Sequence, residues 1–198
     1  MAFIRLPYIQ NRSLHDIIAN LTASLPFVKK NYSEIIVFID YELQEVVKTN
    51  YTFNLRIKSN LDYSCIQDNY DLKYIRIDKF RIDEILNGNI FIFYKAQFFL
   101  PSVRMLISIL KKLKKIVLFD IDDYYLDVPD YSFGSHLNHG TRIETFKKNL
   151  IAADLIISST EFLKQQLLEF NQNIIVVENT MSNLHLKEAS SIGSTFNI

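Results

Sequence analysis

The chain has 198 residues, 48% of them apolar with 15 Phe and 11 Tyr, and its 22 Lys and Arg balance 22 Asp and Glu to a formal net charge of zero. That length supports one domain with a real core, the apolar content excludes disorder over most of it, and neutrality excludes a general electrostatic pull on nucleic acid. Gly and Pro are scarce, at 4 each, and neither G-x-G-x-x-G nor G-x-x-x-x-G-K-[ST] occurs, so no Gly-rich phosphate loop is expected.

Cys65 stands alone, which excludes an intrachain disulfide and a cysteine-based zinc site. It reads as a small apolar filler and fits reducing, cytoplasmic surroundings. The opening residues, Met1 to Tyr8, lack the basic and long apolar regions of a signal peptide. No apolar run reaches the ~18 residues of a membrane span.

In chain order, Ser13-Leu-His-Asp16 resembles a capping box opening a helix at about 13–24, stopped before Pro26. Ile35-Ile-Val-Phe-Ile39 is a continuous β-branched run ending at Asp40 and reads as a buried strand. Over 41–72 the pattern is weak; Val46-Val47 suggests a short helix, and Thr52-Phe53-Asn-Leu55 with Ile57 a weak strand. Lys79 to Leu86 reads as a helix stopped by Asn87-Gly-Asn89, and Ile90 to Tyr94 as the next buried strand. Pro101 suits the first turn of a helix whose apolar face is Val103, Leu106, Ile107, Leu110 and Leu113, with Lys111, Lys112, Lys114 and Lys115 at its end. Strand Ile116–Phe119 follows, and then the longest loop-like stretch, 124–140, with Pro129, His136 and His139. Thr141-Arg-Ile-Glu144 reads as a second capping box opening a helix to about Ala152. A strand over Leu155–Ser158, a helix from Thr160 to Phe170 and a strand over Ile174–Val177 complete the series.

Strand, helix and strand alternating over 90–178 imply βαβ units, hence an α/β, three-layer, Rossmann-like domain with a mainly parallel sheet. Residues 1–181 form that domain, and the polar stretch 182–198 reads as a linker or tail.

The most informative stretch is Lys115-Ile-Val-Leu-Phe-Asp-Ile-Asp-Asp123, an apolar strand ending in three carboxylates. The carboxyl ends of parallel strands are where ligands bind in such sheets, and three crowded acids need water, a cation or hydrogen-bond donors to share their charge. Asp120 and Asp122 match the Asp-x-Asp of haloacid-dehalogenase-type phosphatases, in which Asp120 would be the nucleophile and Ser158 or Ser159 would mimic the second motif. Tyr124, however, stands where Thr or Val is expected. The same pair matches, by spacing alone, the metal-holding Asp-x-Asp of GT-A glycosyltransferases.

A longer pattern covers about 90–183. It runs from Tyr94-Lys95 with a following helix, through the lysine-ended helix and the acidic strand end with Pro129 beyond, to Ala152-Ala-Asp-Leu-Ile-Ile-Ser-Ser-Thr-Glu161 and Ile174-Ile-Val-Val-Glu-Asn179. In order and spacing this resembles the N-terminal, acceptor-side domain of GT-B glycosyltransferases of the bacterial surface-polysaccharide type. The resemblance implies a contribution to sugar transfer in cell-envelope polysaccharide synthesis, with the acceptor held by this half of the GT-B architecture. Nucleotide sugar would be held by a separate donor domain or partner subunit, no metal or other cofactor would be needed, and no transfer is expected from these 198 residues alone. Asp122, Asp123 and His139 would be the catalytic candidates, binding or deprotonating the acceptor hydroxyl. Lys95, Asp120, Ser159, Thr160 and Asn179 would line the cleft. The acceptor would be a saccharide or lipid-linked, with the lysine cluster at 111–115 open to a peripheral contact with anionic lipid at the inner face of the membrane. Against each sharp reading stands a plain one. Asp122 and Asp123 also suit a solvated turn, Asp120 a cap, Asp154 and Asn179 turn residues, the His residues polar loop positions, and the lysines a solvated helix end. A non-catalytic sugar- or partner-binding module is the alternative function, and a phosphohydrolase using Asp120 the third.

Overall fold

A computed structural model describes residues 34–40, 43–62, 64–126 and 140–178. Among these residues six strands form one sheet: β1 (Glu34–Ile39), β2 (Asp71–Arg76), β3 (Ile90–Tyr94), β4 (Ile116–Ile121), β5 (Leu155–Ser158) and β6 (Ile174–Val176). Their order is β2-β1-β3-β4-β5-β6 and every neighbouring pair is parallel. The expected α/β, Rossmann-like architecture is therefore present. The chain builds first to one side of β1 and then returns to the other, so the strand order reverses between β1 and β3.

Two apolar layers flank the sheet because successive strand side chains point to opposite faces. One face presents Ile36, Phe38, Phe91, Phe93, Val117, Phe119, Ile121 and Ile156. It is covered by α5 (Ile82–Asn87), a 3₁₀ turn (Lys95–Phe99), α6 (Pro101–Lys112), α7 (Thr141–Ala152) and α8 (Glu161–Leu167). The opposite face presents Ile35, Val37, Ile39, Ile90, Ile92, Leu118 and Ile157. The β1–β2 connection covers it: α1 (Leu43–Thr49), α2 (Tyr51–Phe53), a widened π-type turn (Asn54–Lys58), α3 (Ser59–Leu61) and α4 (Ser64–Gln67).

Several sequence expectations need correction. Residues 52–57 are helical, not a strand, because Phe53, Ile57 and Leu61 recur every four residues and bury one stripe against the sheet. The missing strand is β2, the half-buried edge strand, whose Asp-Leu-Lys-Tyr-Ile-Arg lacks a continuous apolar signal. Lys79 lies in a turn, and α5 begins only at Ile82. Gly88 ends α5 for a packing reason, since a Cβ there would sit 2.5 Å from Ile36 Cδ1 and 2.7 Å from Phe91 Cζ. Leu113 is 42% exposed and does not belong to the buried stripe of α6. Thr141 is the first residue of α7 rather than its cap; Gly140, at φ 57°, precedes it and no side chain caps the helix. The helix expected at about 13–24 and the tail 182–198 lie outside the described residues.

The end of α6 shows a helix stop without glycine. Lys114 takes φ 57°, and the amides of Lys114 and Lys115 close onto the carbonyls of Lys111 and Leu110. A left-handed backbone costs a side-chain-bearing residue about 1–2 kcal/mol, part of which glycine returns as unfolded-state entropy. Lys114→Gly is therefore expected to raise the urea unfolding midpoint, by about 0.5–1 kcal/mol in stability.

Candidate functional site

The site lies along the carboxyl edge of the sheet. β4 runs two residues further than the apolar run suggests, through Asp120 and Ile121. By strand alternation Asp120 joins Ile116 and Leu118 and points under the π-type turn, not into the rim. There it is 3% exposed, and Arg56 grips it with two bonds, Nη2 to Oδ1 at 2.6 Å and Nε to Oδ2 at 2.9 Å. Arg56 Nη1 also donates to the Val177 carbonyl at 3.0 Å. Burial pushes the Asp120 carboxyl above its ordinary value, and Arg56 pulls against that. Asp120 thus ties the β1–β2 helices to β4 and the end of β6. Both of its oxygens are engaged, which leaves none presented for attack on phosphorus.

The residues after the strands do converge. Lys95 Nζ stands 3.7 Å from Asp122 Oδ2, with side chains 26% and 11% exposed. Ser159 Oγ donates to the Asp122 carbonyl at 3.1 Å, and the Ser159 amide donates to the Ile121 carbonyl. Thr160, read from the sequence as the first residue of this helix, is instead its cap: its Oγ1 accepts from the Leu163 amide at 3.1 Å, and α8 begins at Glu161. Asp122 and Thr160 therefore share one rim, just beyond the carboxyl ends of the adjacent parallel strands β4 and β5. Asp123 is exposed and accepts from the Tyr125 hydroxyl at 3.4 Å. Burial, then the neighbouring acids, push the Tyr125 hydroxyl well above its ordinary value, so it remains a donor.

Asp122 has one oxygen, Oδ1, that is buried without a hydrogen-bond partner among the described residues. Burial raises its carboxyl above the ordinary value of 3.8, with Asp123 adding to the rise and Lys95 opposing it. A buried acceptor without a donor is costly, and a hydroxyl or ammonium that displaced its cover would satisfy it.

Lys95 is held unusually. It opens the 3₁₀ turn at φ 52°, with no preceding helix end to account for a left-handed backbone. Strain of that kind concentrates where a side chain must be aimed. Two residues on, buried Gln97 latches two strand ends together. Its Nε2 donates to the Phe38 carbonyl at 3.1 Å and to Asp40 Oδ1 at 3.0 Å, while its Oε1 accepts from the Tyr94 amide at 3.3 Å.

Between the ends of β1 and β3, where the strand order reverses, a crevice of about 360 Å³ opens. This is the expected ligand position in a doubly wound sheet. Asp40, Asn50, Tyr51, Thr52, Tyr94 and Lys95 are among its lining residues. Lys95 belongs to both crevice and acidic rim. The lining residues between 40 and 52 escaped sequence reasoning; the one signal was Asp40 closing an apolar strand, the same pattern that marked Asp120.

The other candidates divide between the two kinds of reading. His139 and Asn179 lie outside the described residues, as do His136, His15 and His185. Asp154 accepts from the Val117 amide at 2.9 Å and pairs with Lys111, fixing the start of β4. Lys115 Nζ donates to the Leu86 carbonyl at 2.7 Å, so two of the four clustered lysines are tied to the fold. Among the described residues no helix is long and apolar enough to cross a membrane, and no group of three or more His, Cys, Asp or Glu side chains is arranged to hold a metal ion. Comparison of the chain with protein-family models, with curated proteins and with solved structures found no match.

Proposed function

We propose that this domain binds a saccharide along its carboxyl rim and supplies the acceptor side of a glycosyl-transfer reaction. The observation that carries the reading is the meeting of Lys95, Asp122, Ser159 and Thr160 on one edge of a parallel sheet, with an acceptor oxygen of Asp122 that has no partner among the described residues. Carboxylates and hydroxyls suit sugar hydroxyls, which both donate and accept. The raised carboxyl of Asp122 is the better base for an acceptor hydroxyl, because a carboxylate that burial destabilises takes up a proton more readily. Lys95 would keep it ionised until the hydroxyl arrives. The engagement of Asp120 by Arg56 weighs against the phosphohydrolase alternative.

The test is saturation-transfer NMR with methyl glycosides of glucose, galactose, mannose and N-acetylglucosamine. At least one is expected to bind. Asp122→Asn should weaken it about tenfold or more, since a hydrogen bond to a charged group is worth about 1.5–3 kcal/mol, while leaving the thermal midpoint unchanged or higher. Binding by none of the four, or binding indifferent to Asp122→Asn, would overturn the proposal.

A further inference from the structure

The crevice and the rim together are rich in carboxylate and poor in cation. Asp40 stands at the end of β1, Asp122 and Asp123 beyond β4, and Lys95 between them beyond β3. Adjacent strands lie about 4.8 Å apart, so the ends of β1 and β4 are separated by about 10 Å with β3 between. Beside the ion pairs Arg56–Asp120 and Arg76–Asp78, three carboxylates among the described residues at this place face one ammonium, and that ammonium is already drawn toward Asp122.

We propose that the crevice between β1 and β3 is a subsite for a primary ammonium group on a hydroxyl-rich ligand, of which an amino sugar is the simplest. This rests on the saccharide reading above and narrows it. Asp40 is the anchor. Gln97 fixes one of its oxygens and thereby aims the carboxylate at the crevice. Thr52 and Asn50 on the facing wall offer polar groups to hydroxyls, and Tyr51, 56% exposed at the crevice, offers an aromatic face to a sugar ring or an ammonium.

An anionic ligand is disfavoured by the same arrangement. A phosphate placed here would meet Asp40 on one side and Asp122 and Asp123 on the other, with Lys95 in its favour and the Arg56 charge already taken up by Asp120, and like charges at such range repel. The protein around Asp40 also leaves its carboxyl short of stabilisation. Although Asp40 is exposed to solvent, desolvation on its protein side raises its carboxyl above the ordinary value, Asp78 adds to the rise, and the Gln97 bond and Lys95 offset it only in part. A bound ammonium supplies the missing positive charge.

The experiment compares glucosamine, glucose and glucose 6-phosphate by NMR titration of the full chain. It is run at a pH of about 6.5, where an amine with a pKa near that of an α-amino group (~7.7–8.0) is charged. Glucosamine is expected to bind at least tenfold more tightly than glucose, and glucose 6-phosphate more weakly than either. Asp40→Asn should bring glucosamine down to the level of glucose, with circular dichroism confirming an intact fold. On acidification the advantage should fade as Asp40 is protonated, beginning above the ordinary carboxylate value of 3.8 because its carboxyl is raised. Equal binding of glucosamine and glucose, or tighter binding of glucose 6-phosphate, overturns this inference and leaves the saccharide reading standing. If none of the three binds, this inference falls, and the saccharide reading is decided by the four methyl glycosides.

Discussion

Asp120→Leu is expected to lower the unfolding free energy by about 3–5 kcal/mol, because it strands a buried guanidinium. The Arg56 side chain is 1% exposed and its Nε and Nη2 bonds both end on Asp120. Arginine cannot shed its charge to relieve the burial. The reverse change, Arg56→Met, should cost less, because the abandoned carboxyl can take up a proton. That difference carries a pH signature. With Arg56 gone, Asp120 loses its principal charge-stabilising partner, and its carboxyl in the folded state moves further above the unfolded value. A folded state that holds the proton more tightly loses stability as pH rises through the window between the two values, and regains it as pH falls. The deficit of Arg56→Met relative to the native chain should therefore shrink on acidification below neutrality, whereas that of Asp120→Leu should not. The double change to Met and Leu should recover most of the loss, since well-packed apolar replacements of buried pairs are often neutral or stabilising. Urea unfolding of the four proteins at two pH values measures all of this. A change of less than about 1 kcal/mol for Asp120→Leu would show that the pair does not carry the load placed on it, and would reopen Asp120 as a site residue.

The second large effect is expected at Phe98. Its ring lies flat on Phe119, with centroids 3.5 Å apart and planes within 6°, and meets Phe93 edge-on at 5.6 Å. The Phe98 carbonyl accepts from Asn149 Nδ2 at 2.8 Å. Phe98→Ala removes a wholly buried ring and should cost about 3–5 kcal/mol. Phe98→Leu, which keeps much of the volume, should cost less. The consequence for function follows from chain connectivity. Phe98 is one residue beyond Gln97 and three beyond Lys95, on the same short 3₁₀ turn. A cavity there frees the segment that sets the left-handed Lys95 and the latch to Asp40. The proposed saccharide binding should weaken in Phe98→Ala even at temperatures where the protein remains folded. If unfolding falls as expected but binding is unchanged, the rim is held from elsewhere.

These two positions show where sequence reasoning reached and where it stopped. The 90–94 strand is legible as a continuous apolar run, and so are the helix opened by Pro101 and the strand at 155–158, because each is buried on both faces or along one regular stripe. The edge strand β2 is not, since half-burial tolerates Asp, Lys and Arg among its apolar residues. The connection over 51–61 misleads for a different reason. Its widened turn buries three consecutive residues, Leu55, Arg56 and Ile57, which no single helical period describes.

The site divides in the same way. That the strand ends carry Asp40, Lys95, Asp122, Ser159 and Thr160 is a property of the linear order of residues, and parallel strands bring consecutive carboxyl ends to one edge. Sequence thus determined that a polar rim exists, and that Asp122 and Thr160 lie on it. It could not determine which of three neighbouring aspartates faces the rim, because that depends on where β4 stops, and β4 stops where Ile121 still pairs with Ser158. Nor could it bring Arg56, 64 residues away, onto Asp120, or open the crevice between β1 and β3. Strand pairing and the reversal of strand order are long-range choices. They are decided by which apolar faces bury best against each other, and only the folded chain records that outcome.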